Sequence, residues 1–246
     1  MPEGVSYRDN EKILNTGSHR EPDLEQFVAA DPDLVLNGQR YAQYYDDIKA
    51  LAPQAAIVDT DIDIEKKPLD DELKRQITLL GATLGHEAEA QKLIEAFEAA
   101  IERVKAAYST DDTVMGLVTS GGTINYAAPK TGRAVGPLFP VLGLTPALEV
   151  EGTSDHKGDD VSLEAIATAN PDWIIVMDRD AAVAADEEGY QPAAELIEKA
   201  EALSHVTAIT EGNVVYMPAT FYTTEDIQAY TEVLNTFASA LEAKKN

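Results

Sequence analysis

One stretch of the sequence occurs twice, and this repeat constrains the fold more than any other feature. Residues 23–36, DLEQFVAADPDLVL, return as residues 162–175, SLEAIATANPDWII, at a constant offset of 162 − 23 = 139 positions. Each copy has the pattern of a short helix, a Pro-Asp turn and a buried strand. Helix–turn–strand units resemble one another in any α/β protein, but a shared offset favours two similar halves.

Five short runs of apolar and β-branched residues alternate with helical patterns along the chain. They lie at residues 34–36, 55–58, 114–119, 173–177 and 214–217. Such alternation is typical of an α/β protein whose sheets are mostly parallel. A chain of 246 residues with 44% hydrophobic content is long enough for one large or two modest domains. We therefore predict an α/β fold with two lobes.

A single long helix is predicted between residues 87 and 108. Apolar side chains recur there every three or four positions, with Glu and Lys between them and no Gly or Pro. The helix would span roughly 33 Å, which suits a rigid spacer between lobes better than its alternative, a crossover within one sheet. The predicted division is an N-terminal lobe at 1–85, a connecting helix at 86–109 and a C-terminal lobe at 110–246.

The repeat also relates two arginines. The offset of 139 carries Arg40 onto Arg179, and each follows the C-terminal end of its predicted strand. In open α/β sheets this end faces the ligand crevice. Two lobes that face each other would each direct an arginine into a shared cleft, which predicts a cationic interior.

The composition excludes several classes of partner and chemistry. Nineteen Lys and Arg against 44 Asp and Glu give a formal net charge of −25, which repels nucleic acid and anionic lipid. The absence of cysteine excludes disulfides, zinc–thiolate sites, cysteine nucleophiles and iron–sulfur clusters. Nucleophile-elbow, Walker A and dinucleotide-binding glycine motifs are also missing. We therefore expect a non-enzymatic protein with no nucleic acid partner.

Several motifs together resemble a known family. They are GSHREPDLE at residues 17–25, DPDLV at residues 31–35, NPDWIIVMDR at residues 170–179, and the single long helix. On these motifs, essentially the whole chain resembles the extracytoplasmic substrate-binding proteins of iron–siderophore ABC importers. The members it resembles most bind ferric catecholates such as enterobactin and its linear, tetradentate breakdown products. The resemblance implies two α/β lobes joined by one long helix, with the ligand in a shallow cleft between them.

The resemblance also implies roles for single residues. Arg40, Arg133 and Arg179 match the family's arginines that neutralise the ferric catecholate anion. A guanidinium suits phenolate oxygens because it is planar, weakly hydrated and always charged. His156 and Tyr222 match the family's histidine and tyrosine iron ligands, which fill the two coordination positions that a tetradentate siderophore leaves open.

Each of these residues also has an interpretation that involves no ligand. An arginine in so acidic a chain could face solvent and pair with a carboxylate, and a loop histidine is more often a bystander than a ligand. Arg133 lies in a loop between a strand-like segment at 123–127 and an apolar helix that is predicted to begin near residue 134. Phe221 and Tyr216 compete with Tyr222 for the ligand position. The prediction therefore rests on the five residues as a set.

Two glutamates are equivalent under the repeat. Glu25 and Glu164 fall in the first turns of their predicted helices, where interaction with the helix dipole is enough to explain them. In the resembling family, acidic residues at these positions dock on arginines of the membrane permease. The resemblance thus adds an ABC permease as partner, and a monomer without intrinsic cofactor that receives Fe(III) as a siderophore complex.

The N-terminus departs from the family pattern. Residues 1–4, MPEG, show no basic and apolar export signal, and the strand–helix–strand that opens the family's N-terminal lobe has no counterpart. We therefore expect a shortened N-terminal lobe, in a protein whose full-length form is extracytoplasmic. The alternatives are a cobalamin- or haem-binding protein of the same fold, and a cytoplasmic remnant or enzyme of unrecognised type.

Overall fold

The structure is a computed structural model that describes residues 10 and 12–245. Residues 1–4 and the rest of the opening segment of the predicted N-terminal lobe lie outside the described residues, as does residue 246. Within the described ranges, no helix combines the length and the apolar composition needed to cross a bilayer.

The N-terminal part of the chain forms a small α/β unit around a two-stranded parallel sheet. Its elements are α1 (Glu25–Ala30), β1 (Leu34–Asn37), a 3₁₀ helix (Gln39–Tyr44), α2 (Tyr45–Leu51) and β2 (Ala56–Asp59). The two strands pair from Leu34 opposite Ala56 to Asn37 opposite Asp59. The buried cluster of this unit is small and consists of Val35, Ile48, Ala52 and Ala55. So small a core gives the unit little stability of its own.

Two long helices, α3 (Leu69–Leu84) and α4 (Glu87–Ala107), follow the N-terminal unit. Gly85 separates them in the left-handed conformation, at φ 72°. Helix α4 coincides with the long helix predicted from the sequence, and its apolar face joins the main core through Phe97 and Val104. Leu73 of α3 lies in the same core, so α3 packs with the C-terminal part of the protein, although the sequence-based division places it in the N-terminal lobe.

The C-terminal lobe contains the larger sheet and the remaining helices. Its elements are β3 (Thr113–Ser120), β4 (Thr123–Ala127), α5 (Leu138–Leu142), β5 (Thr145–Pro146), α6 (Leu163–Ala169), β6 (Trp173–Asp178), α7 (Arg179–Val183), α8 (Ala193–Lys199), a 3₁₀ helix (Glu201–Leu203), α9 (Thr207–Thr210), β7 (Val214–Tyr216), α10 (Phe221–Thr224) and α11 (Ile227–Lys244). The strand order is β4-β3-β6-β7, and β5 pairs with the beginning of β3. All pairings are parallel except that of β3 with β4, so the predicted α/β class with mostly parallel sheets is confirmed.

Strand β6 is buried on both faces. Trp173, Ile175 and Met177 join the core that contains α3, α4, α5 and α11, whereas Ile174 and Val176 join the core on the other face. This alternation follows from the two-residue period of a strand. It explains why β6 is a continuous apolar run in the sequence.

The sequence repeat is also a structural repeat. Asp31 ends α1 at φ 43°, ψ 57°, and Asn170, 139 positions later, ends α6 at φ 45°, ψ 60°. Their backbone N–H groups donate to the equivalent carbonyls of Phe27 and Ile166. Asp and Asn tolerate the left-handed conformation better than other non-glycine residues, which explains their place in the Asp-Pro and Asn-Pro turns. Arg40 and Arg179 consequently follow the C-terminal ends of β1 and β6, as predicted.

Candidate functional site

A cleft of about 980 Å³ lies between the N-terminal unit and the C-terminal lobe. Its size is at the upper end of the usual range for small-molecule sites, roughly 300–1,000 Å³. The N-terminal unit lines the cleft with the segments that follow β1 and β2. The C-terminal lobe lines it with loops and α10, and side chains of α3 and α11 complete the lining. Polar residues of its lining include Gln39, Arg40, Thr60, Asp61, Gln76, Arg133, Tyr222, Glu225, Asp226 and Tyr230.

The N-terminal wall presents Arg40 on a constrained turn. Gln39 has φ 52°, which is unusual for a residue other than glycine, and its N–H donates to Asp61 Oδ1 at 2.8 Å. A Cβ atom on Gly38 would lie 2.8 Å from the Asp61 nitrogen, so only glycine fits this close approach. Arg40 itself is exposed, and its guanidinium forms no ion pair within the part of the chain that the structure describes.

Helix α3 fastens this wall in place. Gln76 Nε2 donates to the carbonyl of Thr60 at 2.7 Å, and Arg75 donates to the carbonyl of Asp61 and to both carboxylate oxygens of Glu72. Hydrogen bonding to the Arg75 guanidinium lowers the pKa of the buried Glu72 carboxyl. The turn after β2 is therefore tied to the same helix that packs in the main core.

The opposite wall presents Arg133 on a tightly closed loop. Gly132 N–H donates to the carbonyl of Ala128 at 2.7 Å, and a Cβ atom on Gly132 would lie 2.3 Å from the Ala128 nitrogen. Lys130 and Ala134 have φ values of 72° and 65°. Because Ala134 is in the left-handed conformation, the apolar helix that the sequence predicts near residue 134 begins only at Leu138. The close backbone contacts leave the position of Arg133 little freedom.

Arg133 and Arg179 share one aromatic ring. The guanidinium carbon of Arg133 lies 4.5 Å, and that of Arg179 5.0 Å, from the centroid of the Tyr222 ring. Both distances are within the range of a cation–π contact. Arg133 is also held by Glu225, with Nε to Oε1 at 2.8 Å and Nη2 to Oε2 at 2.7 Å. This bidentate pair occupies the planar edge of the guanidinium.

Arg179 is the first residue of α7 and is supported by acids on both sides in the sequence. Asp178 caps the helix by accepting the N–H of Ala181 at 3.0 Å, and it also accepts the hydroxyl of Tyr190. Burial, together with this carboxylate, raises the pKa of Tyr190 to about 12. Asp180 accepts from Arg179 Nη1 at 3.0 Å. The buried Nε of Arg179 has no hydrogen-bond partner among the described residues, so the site keeps one unused donor.

His156 lies in the loop whose Ser154 lines the cleft, but it is not itself among the lining residues. Asp159 closes this loop by accepting the N–H of Thr153 at 2.8 Å and its hydroxyl at 2.7 Å. Burial lowers the pKa of His156; Asp155 opposes this shift, whereas the guanidiniums of Arg179 and Arg133 contribute to it. The imidazole is 39% exposed, and at neutral pH it is the uncharged form that can bind a metal.

The structure distinguishes Tyr222 from its two competitors. Phe221 is fully buried and packs edge-on against Tyr230, with ring centroids 5.0 Å apart. Tyr216 ends β7 and is not part of the cleft lining. Tyr222 lines the cleft, and its hydroxyl makes no hydrogen bond to the described residues. The structure therefore brings Tyr222, Arg133 and Arg179 together, places His156 within their electrostatic reach, and places Arg40 on the facing wall.

The charge of the cleft differs from the expected cationic interior. Asp61, Glu225 and Asp226 line the same cleft as Arg40 and Arg133. The arginines are thus individual positive points among carboxylates. With 44 acids in the chain, no sequence signal distinguished Glu225 or Asp180 as partners of arginines. Within the described residues, no three His, Asp or Glu side chains are grouped to hold a metal ion unaided.

Glu25 and Glu164 lie away from this cleft. Each is exposed and belongs to the first turn of its helix, in α1 and α6. Neither carboxylate forms an ion pair with a described residue. Both carboxylates are therefore accessible, one in each copy of the structural repeat.

Comparison with known proteins gives concordant results. The chain is 26% identical to the petrobactin-binding protein YclQ of Bacillus subtilis (strain 168), over 98% of this chain and 73% of YclQ. It is 29% identical to the ferric-anguibactin-binding protein FatB of Vibrio anguillarum (strain ATCC 68554 / 775), over 71% of this chain and 53% of FatB. The chain thus spans about three quarters of one of these relatives and about half of the other.

Solved structures share the fold. The crystal structure of YclQ superposes with a TM-score of 0.76 and 21% identity, covering 98% of this chain and 81% of that one. The periplasmic catecholate-siderophore binding protein VctP of Vibrio cholerae superposes with a TM-score of 0.76 and 20% identity, covering 95% and 80%. These superpositions confirm the predicted two-lobed fold. The sequence signature of the periplasmic binding protein family matches residues 3–220, and the chain therefore belongs to this family.

Proposed function

We propose that this protein captures a ferric siderophore of the catecholate class and delivers it to an ABC permease, without catalysing a reaction. The observation that carries the proposal is the Tyr222 ring, which lines the cleft between the lobes and is contacted by the guanidiniums of Arg133 and Arg179. The names of several relatives support the ligand class, because they refer to petrobactin, anguibactin and catecholate siderophores.

The chemistry of the cleft suits a ferric catecholate. Ferric ion is a hard cation that accepts phenolate oxygen readily and imidazole nitrogen as well. The complex of iron with a tetradentate catecholate has two open coordination positions, which Tyr222 and His156 would fill. A phenol binds iron as phenolate, so ligation by Tyr222 releases a proton. The lowered pKa of His156 keeps the imidazole in the metal-binding form.

The arginines would act on the ligand anion. Arg40 has no carboxylate partner in the described ranges, and Arg179 retains an unused buried N–H donor. Arg40, which lines the cleft, can therefore donate to phenolate oxygens without first breaking a hydrogen bond. Iron enters as part of this ligand, and the chain needs no resident cofactor.

The partner and the site of action follow from the same proposal. Periplasmic binding proteins deliver ligands to membrane permeases, so this protein would act outside the cytoplasm, as a monomer. Glu25 and Glu164 would contact the permease, one from each copy of the structural repeat. Their exposure and lack of ion pairs support this role.

Titration with iron loaded on a linear tetradentate bis-catecholate tests the proposal. The visible circular dichroism of the iron complex is the appropriate signal, because Trp173 is buried at the start of β6, whereas Arg179, which contacts Tyr222 of the cleft, follows the end of that strand. We expect a saturable induced signal, which the double variant H156A/Y222F loses while it remains folded. Haem and cyanocobalamin serve as competing ligands, and tight binding of either in place of the ferric complex would overturn the proposal.

A further inference from the structure

Arg40 and Arg133 line the cleft and Arg179 contacts Tyr222 behind it, but the three guanidiniums are not equally available, and Glu225 is one cause. Arg133 donates from both Nε and Nη2 to the Glu225 carboxylate, at 2.8 and 2.7 Å. Arg179 uses Nη1 on Asp180 and Ser120, and its Nε is free. A ligand therefore meets one guanidinium whose main hydrogen-bonding edge is already occupied.

The pair is held on both sides by rigid backbone. Glu225 ends α10 in the left-handed conformation, at φ 40°, and its N–H donates to the carbonyl of Phe221 at 2.9 Å. The next residue, Asp226, caps α11 by accepting the N–H of Ala229. Arg133 lies in the tightly closed loop described above. The pair is therefore preassembled, with side chains 18% and 24% exposed.

Breaking the ion pair between the Glu225 carboxylate and the Arg133 guanidinium costs free energy. A partly buried carboxylate that loses a bidentate partner is left poorly solvated and unpaired. A ligand that binds Arg133 must gain enough binding free energy to offset this cost. A ligand that binds only the other two arginines leaves the pair intact. The requirement for Arg133 grows with the negative charge of the ligand.

Ferric catecholates differ strongly in charge. Iron bound by two doubly ionised catecholates is a monoanion, and iron bound by three is a trianion. Glu225 and Asp180 offset the two arginines at Tyr222, and Asp61 and Asp226 also line the cleft, so the site offers little net positive charge and favours the less charged complex. We propose that Glu225 is a specificity-determining residue that closes Arg133 and biases the cleft toward monoanionic, tetradentate complexes. This inference rests on the proposed function and refines its ligand class.

Charge arithmetic sets the size of the expected effect. The Coulomb energy of a fixed charge scales with the charge of the ligand, so the fold-change for a trianion is the cube of that for a monoanion at equal distance. If E225Q strengthens binding of the bis-catecholate complex about twofold, it should strengthen binding of the tris-catecholate complex about eightfold. Glutamine keeps the shape of the side chain, so E225Q changes the charge with little change in packing.

The matched control is D226N. Asp226 lines the same cleft and loses the same charge, but its carboxylate caps α11, a role that asparagine also fills, and it does not pair with Arg133. E225Q, D226N, R133Q and the double variant R133Q/E225Q are each titrated with ferric bis-catecholate and ferric tris-catecholate. We expect E225Q to shift the preference toward the trianion by several-fold more than D226N does. In the R133Q background the extra effect of E225Q should disappear.

The outcomes separate this inference from the proposed function. If the unmodified protein binds neither complex, the proposed function fails. If it binds the monoanion but E225Q and D226N shift the preference equally, only the net charge of the cleft matters, and the specific role of Glu225 is overturned. An excess of the E225Q effect over the D226N effect that persists in the R133Q background overturns it as well.

Discussion

Two substitutions of Tyr222 separate packing of its ring from ligation by its hydroxyl. Y222L removes the ring that both guanidiniums contact, at 4.5 and 5.0 Å. Each contact is worth about 0.5–1 kcal/mol, so Y222L should lower the free energy of unfolding by about 1–2 kcal/mol. Y222F keeps the ring and removes a hydroxyl without hydrogen bonds to the described residues, so it should change stability by less than about 0.5 kcal/mol. Urea unfolding followed by far-ultraviolet circular dichroism measures both.

For ligand binding, in contrast to stability, we expect the Tyr222 hydroxyl to matter strongly. We expect Y222F to weaken the tetradentate ferric catecholate at least about tenfold, since even residues that only support metal ligands contribute this much. The phenolate-to-iron absorption contributed by the protein should vanish, whereas a coordinatively saturated hexadentate complex should bind almost as before. Y216F is the matched control, because Tyr216 lies outside the cleft lining. Equal weakening of both complexes by Y222F would contradict direct ligation of iron by Tyr222. Destabilisation by Y222F equal to that by Y222L would contradict the assignment of the stabilising contacts to the ring.

Three further predictions concern pH, stability and delivery. Burial and the nearby guanidiniums lower the pKa of His156 from its usual 6.5, and ligation needs the neutral imidazole, so the ratio of wild-type to H156A affinity should decline on acidification with a midpoint below pH 6.5; a decline centred at or above pH 6.5 contradicts this. L73A should cost about 2–5 kcal/mol in urea unfolding because Leu73 is fully buried, whereas L84A, on the exposed end of the same helix, should cost less than about 0.5 kcal/mol. The double variant E25Q/E164Q should bind ligand normally but fail to support iron uptake by cells that depend on this protein, and unimpaired uptake would exclude docking through these residues.

Much of the fold was predictable because its signals are local. Strand β6 coincides with its apolar run, and α4 coincides with the three-and-four periodicity of its apolar residues. The turns at Asp31 and Asn170 follow from the conformational preferences of Asp and Asn, and they give the repeat the same geometry in both halves. Each of these features depends on residues within a few positions of one another.

The start of α5 shows where local signals were insufficient. The apolar pattern predicted a helix from about residue 134, but Ala134 has φ 65° and the helix begins at Leu138. The loop instead folds back on itself, and Gly132 packs directly on the backbone of Ala128. This contact is a requirement of the tertiary arrangement and leaves no apolar periodicity to detect.

The α/β class, the two-part repeat, the long helix and the places of Arg40 and Arg179 after their strands follow from the amino-acid order alone, because hydrophobic periodicity and turn chemistry act over short distances. Which side chains meet in the cleft depends on tertiary contacts. Arg133 and Glu225 are 92 positions apart, and in a chain with 44 acids no pattern marks one carboxylate as the partner of one guanidinium. Such pairs depend on where the packing of the core places the ends of distant elements, and here that packing sets the charge that a ligand meets.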